Sequence, residues 1–447
     1  METENVIDIV RRCYRRYGLA VNEARAFPSV KDGLKPCTRR VLYCTYIVTK
    51  SGKKVKSAKI VGNTIANWHP HSDSSLYDNL IGLYHSGYLD KEGNFGELLG
   101  FGPADESKGL AHTAAAMRYT ECALKSEMKD LVFSLIDFVP FECVEMDEPE
   151  PLFLPTKLPL SFFSANLNCS IGVGMSCVFP TYKKSDLAKR LQWLLKKRKT
   201  EPIIKPFYSD NMIVDAKDKD CRVLLTTGEA KITLVPKITF TTHEVIIHER
   251  PLLKNLRKSI IGRLFKERLE AGHVEIKDQS EKGATRISIT LRNRLFKAAQ
   301  IAKEVKKELA TTISFNCVYV DENKQMVVKS VDAMLLSVYA QYKELFFKRI
   351  DAECDKIKDK ISDLKLIAVI RPELKDYLTL PKAFDKILDE LAVKVNKNVE
   401  DVKRVMSSYT IKTLLTCNTD ITPLKAQLKT VQAQKTEAEV LKQYEGI

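Results

Sequence analysis

From Val331 onward, apolar side chains recur at Leu335, Val338, Tyr342, Phe346, Ile350, Cys354, Ile357, Ile361 and Leu364, in steps of three and four. That spacing draws one apolar stripe along a single helix. The chain's 447 residues exceed the ~250–300 at which a single hydrophobic core stops growing, so two to four domains are expected. Consecutive steps of four depart from a strict heptad, which makes the seam a loose coiled coil. Pro372 and Pro381 are expected to stop it. A compact helical patch follows (DKILDELAVKVNKNVEDVKRVMSSY), then a last helix from Pro423 carrying Leu424, Leu428, Val431, Ala438 and Leu441. The pattern is a long helix out, a small globule at its tip and a helix back. Such a device holds two subunits together far from their active sites; an ordinary helical bundle is the simpler rival.

Upstream, residues 6 to 18 place Val6, Ile9, Val10, Cys13 and Tyr17 at helical spacing until Gly18, which is expected to break the helix. SAKIVGNTIANW (57–68) and DSSLYDNLIGLYHS (73–86) form two short helices across a tight HPHS segment, the outline of a helix-turn-helix. Between about 131 and 330, VFSLIDFVPFECVEM, CSIGVGMSCVF, CRVLLTT, KITLVPKITFTTHEVIIHE and TRISITLRN are expected as strands. Helical patterns at 184–199 and 297–309 separate them. The boundaries this suggests are 1–130, 131–330 and 331–447.

Lysine plus arginine outnumber aspartate plus glutamate by 72 to 57, a net charge of +15 over 447 residues. An excess of that size favours a polyanionic partner, because each neutralised phosphate releases counterions. No stretch approaches the ~18 apolar residues of a bilayer span, and the N-terminus has no signal-peptide core. The 11 cysteines show no CxxC pair or zinc spacing and read as reduced thiols of a cytoplasmic protein.

Three segments carry candidate chemistry. HTAAAMRYTE (112–121) sets Arg118 beside Tyr119. A tyrosine hydroxyl is a weak nucleophile at neutral pH and needs cations to offset charge growing on phosphorus; a solvated surface pair is the plain alternative. RAFPSVKDGLKPCTRRVLY (25–43) is a shaped loop with Arg25, Lys31, Lys35, Arg39 and Arg40 running into a helix, a pattern suited to phosphate. NWHPHSDSSLYD (67–78) places His69 and His71 at a turn before a helix capped by Ser72 or Asp73. These imidazoles could serve phosphate or proton transfer, with a metal pair as rival; the only further ligand in view is Asp73.

Together RAFPSVKDGLKPCTRRVLY, KSAKIVGNTIANWHPHSDSSLYD, EGNFGE, AAAMRYTE and LPTKLPLSFFSANLNCSIGVGM resemble, in order and spacing, the breakage-and-reunion subunit of type IIA DNA topoisomerases, the DNA gyrase and topoisomerase IV A-type family. The likeness is tightest over residues 20–180. It implies an α+β multidomain chain: a winged-helix domain, an α+β tower, and a coiled coil ending in a helical C-terminal dimer gate. It implies that Tyr119 forms the 5′-phosphotyrosyl ester, Arg118 stabilises the transition state, and Arg25, Lys35, Arg40 and His71 contact the scissile phosphate or its neighbours. His69, Arg39 and Lys31 lie nearby, Ile171 is the wedge that kinks DNA, and Ser74 and Asp78 are drug-anchoring positions.

Departures are Ser72 for the glycine of HPHGD, Thr38 for the histidine before the paired arginines, and an insertion, LLGFGPADESKGLAHT, before the nucleophile. No GxxxxGK[ST] loop is present, and Asp218 and Asp220 read as a solvated turn rather than a metal-binding pair. The expected working unit is therefore a homodimer on double-stranded DNA, joined in an A2B2 assembly by a partner whose ATPase and TOPRIM domains bind ATP and Mg2+. The expected metal content of this chain is none. A short form without the C-terminal β-propeller, as in large phages, is expected to relax or decatenate DNA, in a bacterial or phage-infected cytosol near the nucleoid. A metal-dependent tyrosine nickase and a non-catalytic architectural DNA-binding dimer are the competing functions.

Overall fold

The computed structural model describes residues 5–96, 114–164, 168–196, 198–281, 284–293, 295–377 and 384–447; the side chains at 375–377 and 384–385 lie outside it. The insertion expected at 98–113 and Pro381 lie outside the described residues. The chain is mixed α/β and divides into two compact units, residues 1–342 with Ile447, and residues 343–446.

The first unit begins with α1 (Val6–Val21), capped by the Asn5 side chain accepting from the Ile7 amide at 3.0 Å. Gly18 does not break it. A Cβ there would stand 3.0 Å from Val173 Cγ1, so this glycine is a close-packing site inside the helix. A π-helical turn (Asn22–Ala26) follows, then α2 (Pro36–Val48), α3 (Ser57–Asn67) and α4 (Asp73–His85). Pro36 opens α2, where its missing N–H costs nothing. Val41, Leu42, Ile60, Val61, Leu76 and Leu80 bury where the three helices meet. A small antiparallel sheet lies beside them: β1 (Val55–Lys56), β2 (Leu89–Glu92) and β3 (Glu121–Leu124), with β3 central.

Two expected strands are helical. In 132–146 the chain forms a helix (Ser126–Phe133) and a 3₁₀ turn (Ile136–Phe138), and only Phe141–Glu142 pairs, with Glu150–Pro151. Leu131, Val132, Leu135 and Ile136 all bury, a helical spacing hidden within an apolar run. CRVLLTT lies in a helix (Asp218–Thr227) that buries Cys221, Leu224 and Leu225 and ends at left-handed Gly228, φ +83°. Asp218 and Asp220 therefore sit in a helical first turn, Asp218 paired to Lys205 at 3.0 Å, and not in a free loop. The remaining expected strands form: a five-stranded sheet contains the hairpin Asn168–Ile171/Ser176–Phe179, and a four-stranded sheet packs on the helix Ala298–Leu309.

The long helix runs from Val331 to Tyr377 and passes through Pro372. The lost hydrogen bond and ring clash cost about 3 kcal/mol. Packing overrides this, because Ile367, Ile370 and Leu374 on either side of Pro372 bury against Leu388, Leu391, Val402 and Val405. Within the second unit Arg371 donates to the Leu414 and Cys417 carbonyls at 2.8 and 2.6 Å. The expected last helix is two (Thr422–Ala433 and Glu437–Lys442), since Thr436 caps a fresh start by accepting from the Glu439 amide. Lys435 reaches Asp351 at 2.7 Å, laying this segment along the long helix. No described helix is long and apolar enough to cross a membrane.

In the first unit, fully buried Arg190 ties the helix Lys184–Leu194 to the start of the long helix. It donates to both Asp332 oxygens at 2.8 and 2.7 Å and to Glu201 at 2.8 Å. Replacing it strands the Asp332 carboxylate, whereas Glu201 keeps Arg222 at 3.1 Å. Arg190→Met is expected to lower stability by about 3–5 kcal/mol in urea unfolding followed by circular dichroism. Arg190→Lys should recover only a minor part, because an ammonium cannot reproduce the two-pronged contact.

Candidate active site

Tyr119 projects from a turn immediately before β3 and is 64% exposed. Its backbone is held on both sides. The Ser57 and Ala58 amides, orphan donors at the start of α3, donate to the Thr120 and Met117 carbonyls at 2.9 and 3.2 Å. The buried Thr120 hydroxyl donates to Ser57 Oγ (2.8 Å) and meets the Tyr77 hydroxyl of α4 (2.9 Å), which donates to the Ala115 carbonyl at 2.6 Å. Gly93, at φ +85°, lets β2's end approach; a Cβ there would stand 3.0 Å from the Tyr119 carbonyl. The guanidinium carbon of Arg118 lies 4.7 Å from the Tyr119 ring centroid. The result is an exposed phenol on a fixed backbone with a cation against its ring.

A second group forms around α2 and the turn before α4. Arg40, 3% exposed, donates in a two-pronged bond to Glu150 (2.7 Å each) and contacts Glu145 Oε2 at 3.1 Å. Its Nη1 donates to His69 Nδ1 at 2.9 Å. His71 Nε2 stands 3.5 Å from Glu145 and 3.4 Å from Nη2 of the exposed Arg25. Burial, then the Arg40 charge, push the His69 pKa from its usual 6.5 down to about 4.

The remaining basic positions have specific partners. Arg39 grips fully buried Asp32 at 2.7 and 3.0 Å, and Asp32 also accepts the Leu34 and Leu154 amides at 3.0 Å. Arg39 thus closes the loop that presents Lys31 and Lys35. Lys31 pairs with Glu322, and Lys35 donates to the Cys169 carbonyl at 3.4 Å. Ile171, at the end of the hairpin, is 87% exposed. Ser74 and Asp78 are exposed four residues apart on α4, one face of that helix. Ser72, at φ −52°, needs no glycine. Within the chain, Arg25, Arg40, His69 and His71 are joined in one group, and Arg118 with Tyr119 in another; no described contact links the two.

Glu145 and Glu150 were not among the residues singled out in the sequence. Their signal was the acidic run ECVEMDEPE (142–150) in a basic chain, which had to neutralise something. Among the described residues His69, His71 and Glu145 have ligand atoms within 4.8 Å of one another. Magnesium takes an octahedral shell of oxygens. Two imidazoles and one carboxylate, each already touching a guanidinium, do not suit it.

His69 accepts a proton more readily unfolded than folded, so between about pH 6.5 and 4 the unfolded chain binds more protons and stability falls with acidification. His69→Asn keeps an acceptor for Arg40 without titrating. Its melting temperature is expected to fall less than the parent's between pH 6.5 and 4.5; parallel curves would contradict this.

A family model for the A subunits of DNA gyrase and topoisomerase IV matches residues 25–444. Among similar proteins, the DNA gyrase A subunit of Aeromonas salmonicida is 28% identical over 432 residues, covering 89% of this chain and 44% of that protein. The Neisseria gonorrhoeae counterpart is 31% identical over 311 residues, 64% of this chain and 32% of the relative. That of Buchnera aphidicola is 26% identical over 426 residues, 89% and 49%. The chain spans less than half the length of these curated relatives. With the match running from Arg25 through the tyrosine turn to the final helix, the chain belongs to the A-subunit family of DNA gyrase and topoisomerase IV.

Proposed function

We propose that this chain is the DNA-cleaving and religating component of a type II topoisomerase, with Tyr119 as nucleophile. The observation that carries this reading is an exposed tyrosine on a turn fixed by Thr120, Ser57 and Tyr77, with Arg118 over its ring. The Tyr119 oxygen bonds to phosphorus, the P–O3′ bond breaks, and the phenolic proton passes to solvent while the 3′-oxygen is protonated. The 5′-phosphotyrosyl ester keeps the phosphodiester's energy, so the reverse attack reseals the strand.

Arg25, His71 and Lys35 each keep solvent-accessible surface and would receive neighbouring phosphates. Arg40 is spent on Glu150 and Glu145, so its part is to hold His69 and the cluster in place. No contact among the described residues joins Tyr119 to the cluster, and in the proposed dimer the cluster of one protomer would serve the tyrosine of its partner. Two chains then supply one tyrosine per strand, joined through residues 331–447. The three helices and β1–β3 support a winged-helix assignment for residues 1–130, and the mixed sheets after 131 a tower. Mg2+ and ATP would come from a separate ATPase/TOPRIM chain in an A2B2 assembly acting on cytoplasmic duplex DNA.

In the complex reconstituted with such a partner, Tyr119→Phe is expected to reduce DNA cleavage by about 10⁴-fold or more. Arg118→Ala should lower the cleavage rate by about 10²–10³-fold with little change in DNA affinity. Undiminished cleavage by Tyr119→Phe, read on denaturing gels, would overturn the proposal.

A further inference from the structure

Ile171 ends the edge strand of its sheet, and the turn beyond it holds two glycines, Gly172 and Gly174. An exposed side chain on such an edge hairpin wedges into stacked bases only if the turn behind it is fixed, since a swaying turn absorbs the load. One side chain from a distant part of the chain fixes it. Asn22, 4% exposed, accepts the Val173 amide at 2.7 Å and donates its own amide to the Val173 carbonyl at 3.1 Å. The fit is tight: a Cβ on Gly172 would stand 2.3 Å from Asn22 Oδ1 and 2.5 Å from Phe27. One helical turn earlier Gly18 meets Val173, so the turn is seated on a single face of the N-terminal helix.

Asn22 is also the first residue of the π-helical turn Asn22–Ala26, whose fourth residue is Arg25, in contact with His71. Such turns are frequent at functional sites. We infer that Asn22 is the positioning residue for the DNA wedge, holding Ile171 in fixed register with the phosphate-binding group around Arg25. This rests on the proposed reading of Ile171 as the wedge.

The test is the bend of an end-labelled duplex bound to the full chain, read by energy transfer, beside its dissociation constant and the protein's melting temperature. Two lost hydrogen bonds lower the seated-to-unseated equilibrium constant of the hairpin by about ten- to a hundredfold. Asn22→Ala is therefore expected to reduce the bend to the level of Ile171→Ala, with affinity changed by less than about threefold because phosphate contacts remain. Asn22→Asp is isosteric, so it opens no cavity. It keeps the acceptor but sets a carboxylate against the Val173 carbonyl, and should give an intermediate bend even if the alanine variant proves unstable. A parent-like bend in folded Asn22→Ala or in Asn22→Asp, while Ile171→Ala has lost it, overturns the inference alone. An unchanged bend in Ile171→Ala overturns the wedge reading and this inference with it.

Discussion

The arrangement of the candidate site depends on the pairing of Arg40 with Glu150. A guanidinium 3% exposed has given up almost all hydration, and only a carboxylate meeting it with both oxygens at 2.7 Å makes that placement tolerable. Once fixed, Arg40 orients His69 and draws in Glu145, which brings His71 and then Arg25 into one connected group. Asp32 does the same for the neighbouring loop by holding Arg39 and two backbone amides. A chain with a net charge of +15 thus turns particular arginines inward as framework and leaves others facing solvent.

The tyrosine turn follows a different principle. Its backbone carbonyls satisfy the unpaired amides that every helix start exposes, here those of Ser57 and Ala58. Helix and turn stabilise each other, and the phenol is left free while its backbone is not. For the proposed nucleophile, fixing the main chain removes part of the orientational entropy before a substrate arrives.

Much of this was legible in the sequence. The seam from Val331 foreshadowed the long helix, and RAFPSVKDGLKPCTRR and HPHSD hold the side chains that the fold joins in one basic group, while MRYTE forms a separate exposed turn. What was not legible depended on contacts made far along the chain. Arg39 and Arg40 look alike as neighbours, yet one faces Asp32 and the other Glu150, and only tertiary contacts distinguish framework from free cation. Gly18 and Pro372 read as breakers because local propensity favours that; packing against Val173 and against the Ile367–Leu374 core outweighs it. The run CRVLLTT failed as a strand because a short apolar run has no decisive period, and Gly228 was the available sign of a helix end.

Every step of the proposed chemistry requires that one phenolic oxygen become covalently joined to DNA. Mass spectrometry of the peptide attached to DNA, after a denatured cleavage reaction of the reconstituted complex and digestion with trypsin, measures this directly. The expected result is a 5′-phosphate on Tyr119, in the peptide running from residue 119 to Lys125. Cut DNA carrying no protein, or a linkage through another residue or to a 3′ end, would contradict it.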